Sequence, residues 1–293
     1  MFETRHAFLG ASGRIGRLLR VAERMTVDRS MLWQFRGHVP ADTRGFQWSD
    51  FSDPDPLMAV NRKAPISTLL VLSGVTQSGD KSDPVAMRAN ITLVEQAISA
   101  AAQAGVPRVL VASSSAVYGA GKGQPFREAE PLDPVNAYGA SKAEMEALAA
   151  RRARDEGIEL CALRIGNVAG ADMLLGNAMA RRGAPLTLDV FPDGAGPRRS
   201  YIGPQTLLQV LKALSDFEGR LPPCLNVAGT SPVEMNALLD AAQVPWEARS
   251  KTDQGHQNIT LECSALAEIC AGVDLSGGAE DIIADWQGCL ERE

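Results

Sequence analysis

Short apolar runs alternate with longer amphipathic stretches along the first 165 residues of the chain. This alternation is typical of strands that are covered by helices, and strands joined by right-handed crossovers form a parallel sheet. The pattern therefore predicts an α/β fold with a doubly wound parallel sheet of the Rossmann type. The predicted strands span residues 6–9, 31–36, 46–48, 68–73, 108–112 and 160–165.

Three helices are predicted between these strands, at residues 13–24, 90–104 and 141–154. The second one is the clearest, because its apolar residues recur at helical spacing and Gly105 follows as a stop signal. The residues on its apolar face are Ile91, Val94, Ala97, Ile98 and Ala101.

The pattern becomes less regular after Gly166. One amphipathic helix is predicted at residues 205–217, and the run at 225–228 predicts a strand that returns to the sheet. We therefore expect a dinucleotide-binding domain over residues 1–165, with that strand added, and a smaller substrate-binding lobe over residues 166–293.

Composition and charge narrow the classes of function. With 29 basic and 35 acidic side chains the net charge is −6, which disfavours binding to nucleic acid or to anionic membranes. The sequence contains no apolar run near the ~20 residues of a membrane span, and its first ten residues do not resemble a secretory signal. Five cysteines without a C-x-x-C pair and three scattered histidines predict neither disulfides nor a metal site. We expect a cytoplasmic protein.

Three glycines follow the first predicted strand directly, at Gly10, Gly13 and Gly16. Glycines at this spacing allow a tight turn and a close approach of the backbone to a diphosphate, and the helix that follows offers free N–H groups. The G-x-x-G-x-x-G run predicts a dinucleotide loop that also includes Ser12, Arg14 and Ile15, although a plain glycine-rich turn would show the same letters.

Arg36, at the end of the second predicted strand, bears on the choice of cofactor. An acidic residue there would suit the ribose of NAD, whereas a guanidinium pairs with the 2′-phosphate of NADP. The sequence thus favours NADP over NAD, unless Arg36 is only a solvated side chain. Asp50 is a candidate partner of the adenine amino group, or else an exposed loop residue.

Tyr138 and Lys142 lie four residues apart in the segment YGASK, so they share one face of a helix. A free tyrosine has a pKa near about 10, and a neighbouring ammonium can lower it enough for proton transfer. A third group would polarise the substrate oxygen, and Ser113, Ser114 and Ser115 follow a predicted strand. These residues predict a catalytic site, but an exposed tyrosine–lysine pair would have the same spacing.

Together with the glycine loop, the segments ASSSAVYG (112–119) and NAYGASKAE (136–144) resemble the extended short-chain dehydrogenase/reductase family. This family is also called the NAD-dependent epimerase/dehydratase family, and the resemblance covers residue 5 to about 170. It implies that Ser114 is the active serine and that Tyr138 and Lys142 are catalytic. It also implies a homodimer paired through two helices.

Other positions match the family one by one. Asn90 resembles an asparagine that orders its helix and the active site, Asn167 in LRIGNVAG resembles a residue of the substrate pocket, and Arg199 resembles an arginine that reaches a sugar-nucleotide diphosphate. Buried structural amides and a solvated arginine are the alternatives at these positions.

Two departures from the family pattern affect the expected activity. The acidic pair that usually follows the arginine is replaced by Gly203, Pro204 and Gln205, which puts recognition of a diphosphate in doubt. The Thr-Asp-Glu run of the dehydratases is replaced by Ser114, Ser115 and Ala116, so dehydration is disfavoured.

The resemblance implies hydride transfer at a hydroxyl or keto carbon of a sugar nucleotide or related sugar. An epimerase would keep its ketone bound, whereas a reductase would release it, and the sequence leaves both open. A protein that binds NAD(P) as a sensor without catalysis is the alternative class. The substrate could be a nucleotide-sugar, a free sugar or a small ketone.

Overall fold

The computed structural model describes residues 5–26, 30–74, 84–121, 123–180, 183–252 and 256–291. Residues 1–4, at the start of the segment inspected for a secretory signal, lie outside these ranges. The strands are β1 (Arg5–Leu9), β2 (Met31–Phe35), β3 (Gly45–Gln47), β4 (Ile66–Val71), β5 (Arg108–Ser114), β6 (Glu159–Ile165), β7 (Asn167–Val168), β8 (Leu186–Val190), β9 (Arg198–Arg199), β10 (Tyr201–Ile202), β11 (Cys224–Val227), β12 (Val233–Glu234), β13 (Trp246–Ser250) and β14 (Asn258–Ile259).

The helices lie between these strands and at the end of the chain, and a 3-10 turn, Ser115–Val117, follows β5. They are α1 (Arg14–Arg24), α2 (Asp55–Lys63), α3 (Pro84–Ala104), α4 (Ala137–Glu156), α5 (Met173–Ala180), α6 (Pro204–Asp216), α7 (Met235–Ala241), α8 (Ser264–Ile269) and α9 (Ala279–Leu290). Among the described residues, none of these helices is both long and apolar enough to cross a bilayer.

Seven strands form one parallel sheet in the order β3-β2-β1-β4-β5-β6-β11. The first six follow the doubly wound order, which confirms the predicted fold class. The strand expected at residues 225–228 corresponds to β11, which pairs with β6 at the edge of the sheet.

Side chains of successive strand residues point to opposite faces, and each face is buried under its own helices. In β1, Phe8 belongs to one core cluster, whereas Ala7 and Leu9 belong to the other. Helices α1, α6 and α9 contact one another on the first side. On the second side, α2 contributes Leu57, α3 contributes its apolar face and α4 contributes Met145. Because α6 and α9 come from beyond residue 165, the C-terminal part also packs on the sheet; the domain boundary itself stays a prediction.

Several predicted bounds differ from the structure in ways that matter for the site. Strand β5 continues through Ser114, two residues further than predicted. Helix α4 begins at Ala137 rather than at 141, because the side chain of Asn136 accepts a hydrogen bond from the N–H of Gly139 at 2.8 Å and caps the first turn. Tyr138 therefore lies inside the helix, one turn before Lys142. Helix α2 was not predicted, and α3 starts six residues earlier than expected.

Candidate active site

The glycine loop joins β1 to α1 and leaves backbone exposed at the start of the helix. Gly10 has a φ of +100°, in the region that favours glycine, and its carbonyl accepts a hydrogen bond from the N–H of Gly13 at 3.0 Å. A Cβ at Gly16 would overlap that same carbonyl oxygen. Gly13 is the N-cap of α1 and offers no side chain to the free N–H groups. This bare cradle fits a dinucleotide diphosphate.

Gln34 on β2 contacts the glycine loop, and the sequence did not predict this contact. Its Oε1 accepts a hydrogen bond from the N–H of Gly10 at 2.9 Å, and its Nε2 donates to the carbonyl of Trp48 at 2.5 Å. The neutral amide therefore supports the glycine loop from the neighbouring strand. The register of β2, in which Gln34 lies beside Leu9, is the signal that could have revealed it.

Arg36 and Asp50 both lie on the surface near the carboxyl end of β2. Arg36 directly follows the strand and is exposed. Asp50 is exposed too, and its Oδ1 accepts hydrogen bonds from the backbone N–H and the hydroxyl of Ser52 at 2.9 and 2.7 Å, which lower the pKa of the carboxyl. The predicted adenine contact of Asp50 stays a prediction, since one carboxylate oxygen already serves its own turn.

Ser114 and Tyr138 form the central pair of the site. The Ser114 hydroxyl, at the last residue of β5, hydrogen-bonds the Tyr138 phenol on α4. It also accepts a hydrogen bond from the N–H of Ala116 at 3.2 Å. Burial raises the pKa of Tyr138, and the bond with Ser114 partly offsets that rise. The phenol is thus in its protonated form at neutral pH, ready to act as a proton donor.

Of the three candidate serines, the structure brings Ser114 to Tyr138. The hydroxyl of Ser113 points away and donates to Glu146, whereas Ser115 begins the 3-10 turn. The catalytic role of Ser114, implied by the family resemblance, stays a prediction.

Lys142 lies one helical turn after Tyr138, and only 5% of it is exposed. Its Nζ donates to the carbonyl oxygen of Ala112 at 2.7 Å. Burial lowers the pKa of Lys142 to about 8, and the charge of Glu146 acts in the opposite direction. We expected Lys142 to lower the pKa of Tyr138; instead burial raises it, and the ammonium is bonded to a backbone carbonyl of β5.

Asn90 on α3 reaches the same region and is 1% exposed. A Cβ placed on Gly74, just after β4, would lie 3.0 Å from Asn90 Oδ1 and 3.6 Å from Lys142 Nζ. The end of β4, the middle of α3 and the start of α4 therefore meet around the lysine. This placement supports the predicted ordering role of Asn90.

Asn167 on β7 is half-buried and belongs to a polar group, centred on the buried Tyr201, that the sequence did not reveal. Its side chain hydrogen-bonds the phenol of Tyr201, and Tyr201 donates to Asp172 Oδ2 at 2.7 Å. Asp172 also accepts hydrogen bonds from the N–H groups of Leu174 and Leu175 at the start of α5, and burial raises the pKa of its carboxyl. These contacts fix the position of Asn167.

Arg199 on β9 is held by backbone carbonyl groups. Its two Nη atoms donate to the carbonyls of Arg198, His256 and Gln257 at 2.7, 2.8 and 2.9 Å. The structure thus shows a structural use for this guanidinium. Its predicted contact with a diphosphate stays a prediction.

Gly203, Pro204 and Gln205, which replace the acidic pair of the family, lie at the start of α6, and a carboxylate from another helix caps this start. Asp285 on α9 accepts hydrogen bonds from the N–H groups of Gln205 and Thr206 at 2.7 and 2.9 Å and from the Thr206 hydroxyl at 2.8 Å. A Cβ at Gly203 would overlap the Asp285 carboxyl group. Glycine at this position therefore makes room for a cap that arrives from 80 residues away.

We expect Asp285→Ala to lower the free energy of unfolding by about 2 kcal/mol, since it removes a helix cap with three hydrogen bonds. Urea unfolding followed by circular dichroism measures this. Glu280→Ala, an exposed change on the same helix, is the control and should cost less than about 0.5 kcal/mol. Equal stability of the two variants would contradict the capping role.

Within the described ranges, no group of three or more histidine, cysteine or acidic side chains is placed to hold a metal ion. A doubly wound sheet with a bare glycine cradle, and a Ser-Tyr-Lys group at the carboxyl end of β5, define a dinucleotide-binding protein of the short-chain dehydrogenase type. The model of the NAD-dependent epimerase/dehydratase family matches residues 8–190. The chain belongs to that family.

Comparisons with individual proteins agree with this assignment. The chain is 29% identical over 262 residues, 83% of its own length and 80% of the other, to dTDP-6-deoxy-L-talose 4-dehydrogenase (NAD(P)(+)) from Kitasatospora kifunensis. It is 41% identical over 75 residues, 26% of its own length, to UDP-glucose 4-epimerase from Azospirillum brasilense. The chain spans only 22% to 52% of the length of the UDP-glucose 4-epimerases that it matches.

Among solved structures, the chain is similar to UDP-glucose-4-epimerase from Stenotrophomonas maltophila with bound NAD and formylated UDP-arabinopyranose, with a TM-score of 0.79. The two are 18% identical, and the match covers 98% of both chains. At this identity the likeness shows a shared fold over nearly the whole length.

Proposed function

We propose that the protein is an NAD(P)-dependent oxidoreductase or epimerase that acts at a hydroxyl or keto carbon of a sugar nucleotide or related sugar. The observation that carries the proposal is the Ser114–Tyr138 hydrogen bond beside the buried Lys142. Membership of the NAD-dependent epimerase/dehydratase family supports the reaction class. The names of the relatives, which act on UDP- and dTDP-sugars, support the substrate class.

A bound nicotinamide would accept or supply the hydride. Tyr138 would exchange a proton with the substrate oxygen, and Ser114 would hydrogen-bond the same oxygen. Lys142 would hold its positive charge near both groups, which favours the ionised phenol when Tyr138 gives up its proton. In this proposal Asn167, held by Tyr201, and Arg199 would contact the substrate.

The residues of the glycine cradle, Gly10, Ser12, Gly13, Arg14, Ile15 and Gly16, would bind the cofactor diphosphate. Asp50 would contact the adenine, and Tyr138 and Lys142 would contact the nicotinamide ribose. NAD and NADP both fit this cradle, because the two cofactors are identical at the diphosphate. The end of β2 therefore decides between NAD and NADP.

We infer that NADP is preferred. The residues of β2 read MLWQF and carry no carboxylate for the ribose hydroxyls, and Gln34 is committed to Gly10 and Trp48. The exposed Arg36 follows directly, where a guanidinium can pair with a 2′-phosphate. A relative whose name includes NAD(P)(+) supports the use of NADP in the family.

We expect Arg36→Ala to weaken NADPH binding by about tenfold to a hundredfold, because a charge-assisted hydrogen bond contributes about 1.5–3 kcal/mol. Binding of NADH should change less than about twofold. Titrations followed by NADPH and NADH fluorescence measure both dissociation constants. Arg62→Ala, on the exposed surface of α2, is the matched control. An equal effect on both cofactors would show that Arg36 does not read the 2′-phosphate.

The proposed activity is tested with a panel of ligands. We expect NADPH and NADH to raise the melting temperature of the protein, and UDP, GDP or dTDP to raise it further when cofactor is present. The nucleotide that gives a shift then selects the sugar nucleotides for turnover assays. Absence of any shift with the three nucleotides would oppose the nucleotide-sugar substrate. Cofactor binding without turnover on any sugar substrate would favour a sensor instead.

We further propose a cytoplasmic homodimer. All five cysteines are free thiols, which supports a reducing compartment. The pairing of subunits through two helices rests on the family resemblance, and size-exclusion chromatography with light scattering would test it.

A further inference from the structure

A buried ion pair lies directly behind the catalytic lysine. Glu146 follows Lys142 by one turn of α4, and its carboxylate binds the guanidinium of Arg164 on β6 through Nε at 3.1 Å and Nη2 at 2.8 Å. Glu146 is 9% exposed and Arg164 6%. Removal of such charges from water is costly, so a stability role alone is weak grounds for the pair.

The same carboxylate also connects α4 to the catalytic end of β5. The hydroxyl of Ser113 donates to Glu146 Oε1. The neighbours of Ser113 in the strand are Ala112 and Ser114. The Ala112 carbonyl accepts a hydrogen bond from the Lys142 ammonium, and the Ser114 side chain hydrogen-bonds Tyr138. Glu146 thus fixes the register between the helix that carries Tyr138 and Lys142 and the strand that carries Ser114.

Arg164 is itself held from the other side. Its Nη1 donates to the phenol oxygen of Tyr118 and to the carbonyl of Glu128, both at 2.9 Å, and its guanidinium lies 5.0 Å from the centre of the Tyr118 ring. The Tyr118 hydroxyl donates in turn to Asn226 Oδ1 on β11 at 2.8 Å. These contacts leave the Glu146 carboxylate little freedom to move away from the lysine.

We propose that Glu146, anchored by Ser113 and Arg164, is a positioning residue that keeps Lys142 charged and in register with Ser114 and Tyr138. The catalytic consequence rests on the proposed function. The electrostatic consequence concerns this chain alone, and it can be measured without a cofactor.

The sign of the electrostatic effect follows from the groups around Lys142. Burial lowers the pKa of the lysine to about 8, and the Glu146 carboxylate raises it. Without that carboxylate, a larger fraction of Lys142 would be neutral at pH 7.5. The groups around the ammonium are the Glu146 carboxylate and Met145 Sδ on α4, the Ala112 carbonyl on β5 and Asn90 on α3, with Arg164 on β6 behind Glu146.

The test measures the titration of Lys142 by NMR in cofactor-free protein labelled with ¹³C at the lysine ε-carbons. The chain has six lysines, and the signal that Lys142→Met removes identifies the one of interest. We expect Glu146→Gln to lower the titration midpoint by about one pH unit. Glu144→Gln, an exposed change on the same helix, should leave it unchanged.

Two further variants keep the test decisive if Glu146→Gln folds poorly. The double variant Glu146→Gln/Arg164→Met removes both charges and so leaves no unpaired charge in the core. It should lower the midpoint as well, but by less than Glu146→Gln, because loss of the Arg164 charge acts in the opposite direction. Ser113→Ala keeps the ion pair and removes the bond between helix and strand. We expect it to lower kcat about tenfold with little change in the KM for the dinucleotide.

An unchanged Lys142 midpoint in folded Glu146→Gln or in the double variant would overturn the inference. Failure of the proposed function is distinguishable, because it would appear as unchanged turnover in Tyr138→Phe. In the active enzyme, Glu146→Gln should also move the alkaline fall of kcat to lower pH, whereas Glu144→Gln should not. A loss of kcat at all pH values, without a shift of that limb, would point to a purely structural role.

Discussion

Tyr138→Phe is expected to lower kcat by about 10²- to 10⁴-fold, the range that one positioned proton donor contributes. The change removes a single oxygen atom. The phenol is the group that hydrogen-bonds Ser114, and it lies one turn before the buried Lys142. Because phenylalanine fills the same space, the dissociation constant of NADPH should change by less than about threefold.

The measurement combines steady-state kinetics with a fluorescence titration of NADPH on the same preparation. Ser115→Ala is the control, since Ser115 lies in the 3-10 turn beside the site and outside the proposed machinery. The pH profile adds a second criterion. Burial raises the pKa of Tyr138, so ketone reduction, which needs the protonated phenol, should keep its proton donor up to the alkaline fall of kcat that Lys142 sets. Unchanged kcat in Tyr138→Phe would disprove the assignment.

Gly16→Ala is expected to weaken dinucleotide binding at least about a hundredfold, equivalent to about 2.8 kcal/mol. In an isolated helix this change would be favourable by about 1 kcal/mol. Here the new Cβ would overlap the carbonyl oxygen of Gly10 and lie 3.0 Å from the backbone of Ala11. The overlap outweighs the helix preference, because the only way to relieve it is to move the loop that forms the cradle.

A graded series makes the prediction specific. A Cβ at Gly13 would lie 3.3 Å from the same oxygen, so Gly13→Ala should have a smaller effect than Gly16→Ala. A Cβ at Gly272 meets no atom within 4 Å, so Gly272→Ala should bind NADPH normally. Calorimetric titration with NADPH, together with melting temperatures, separates lost binding from lost folding. Normal affinity in Gly16→Ala would contradict the role of the cradle.

The parts of the fold that the sequence predicts well are those specified by local pattern. Gly10, Gly13 and Gly16 directly after an apolar run define the first strand, the loop and the helix. Helix α2 was missed because it is only nine residues long, and the start of α4 was misplaced because Gly139 is a weak helix former. The Asn136 cap decides that boundary, and a cap is easily overlooked beside a weak pattern.

The parts of the site that the sequence could not predict depend on contacts between distant segments. The strand pattern shows Gln34 as one more buried position, and only the register with β1 places its amide at Gly10. Asp172 and Tyr201 come together across 29 residues, and Glu146 and Arg164 across 18. The elevated pKa of Tyr138 has the same origin, since burial is a property of the assembled fold.

The long-range cap on α6 has a consequence for synthesis of the protein. The residues that open this helix leave the ribosome 80 positions before Asp285, which at 5–20 residues per second is a delay of about 4–16 s. During that interval the first amides of the helix can bond only to water or to a chaperone. Nascent chains stalled before residue 285 should therefore be more sensitive to proteases around residue 204 than full-length chains.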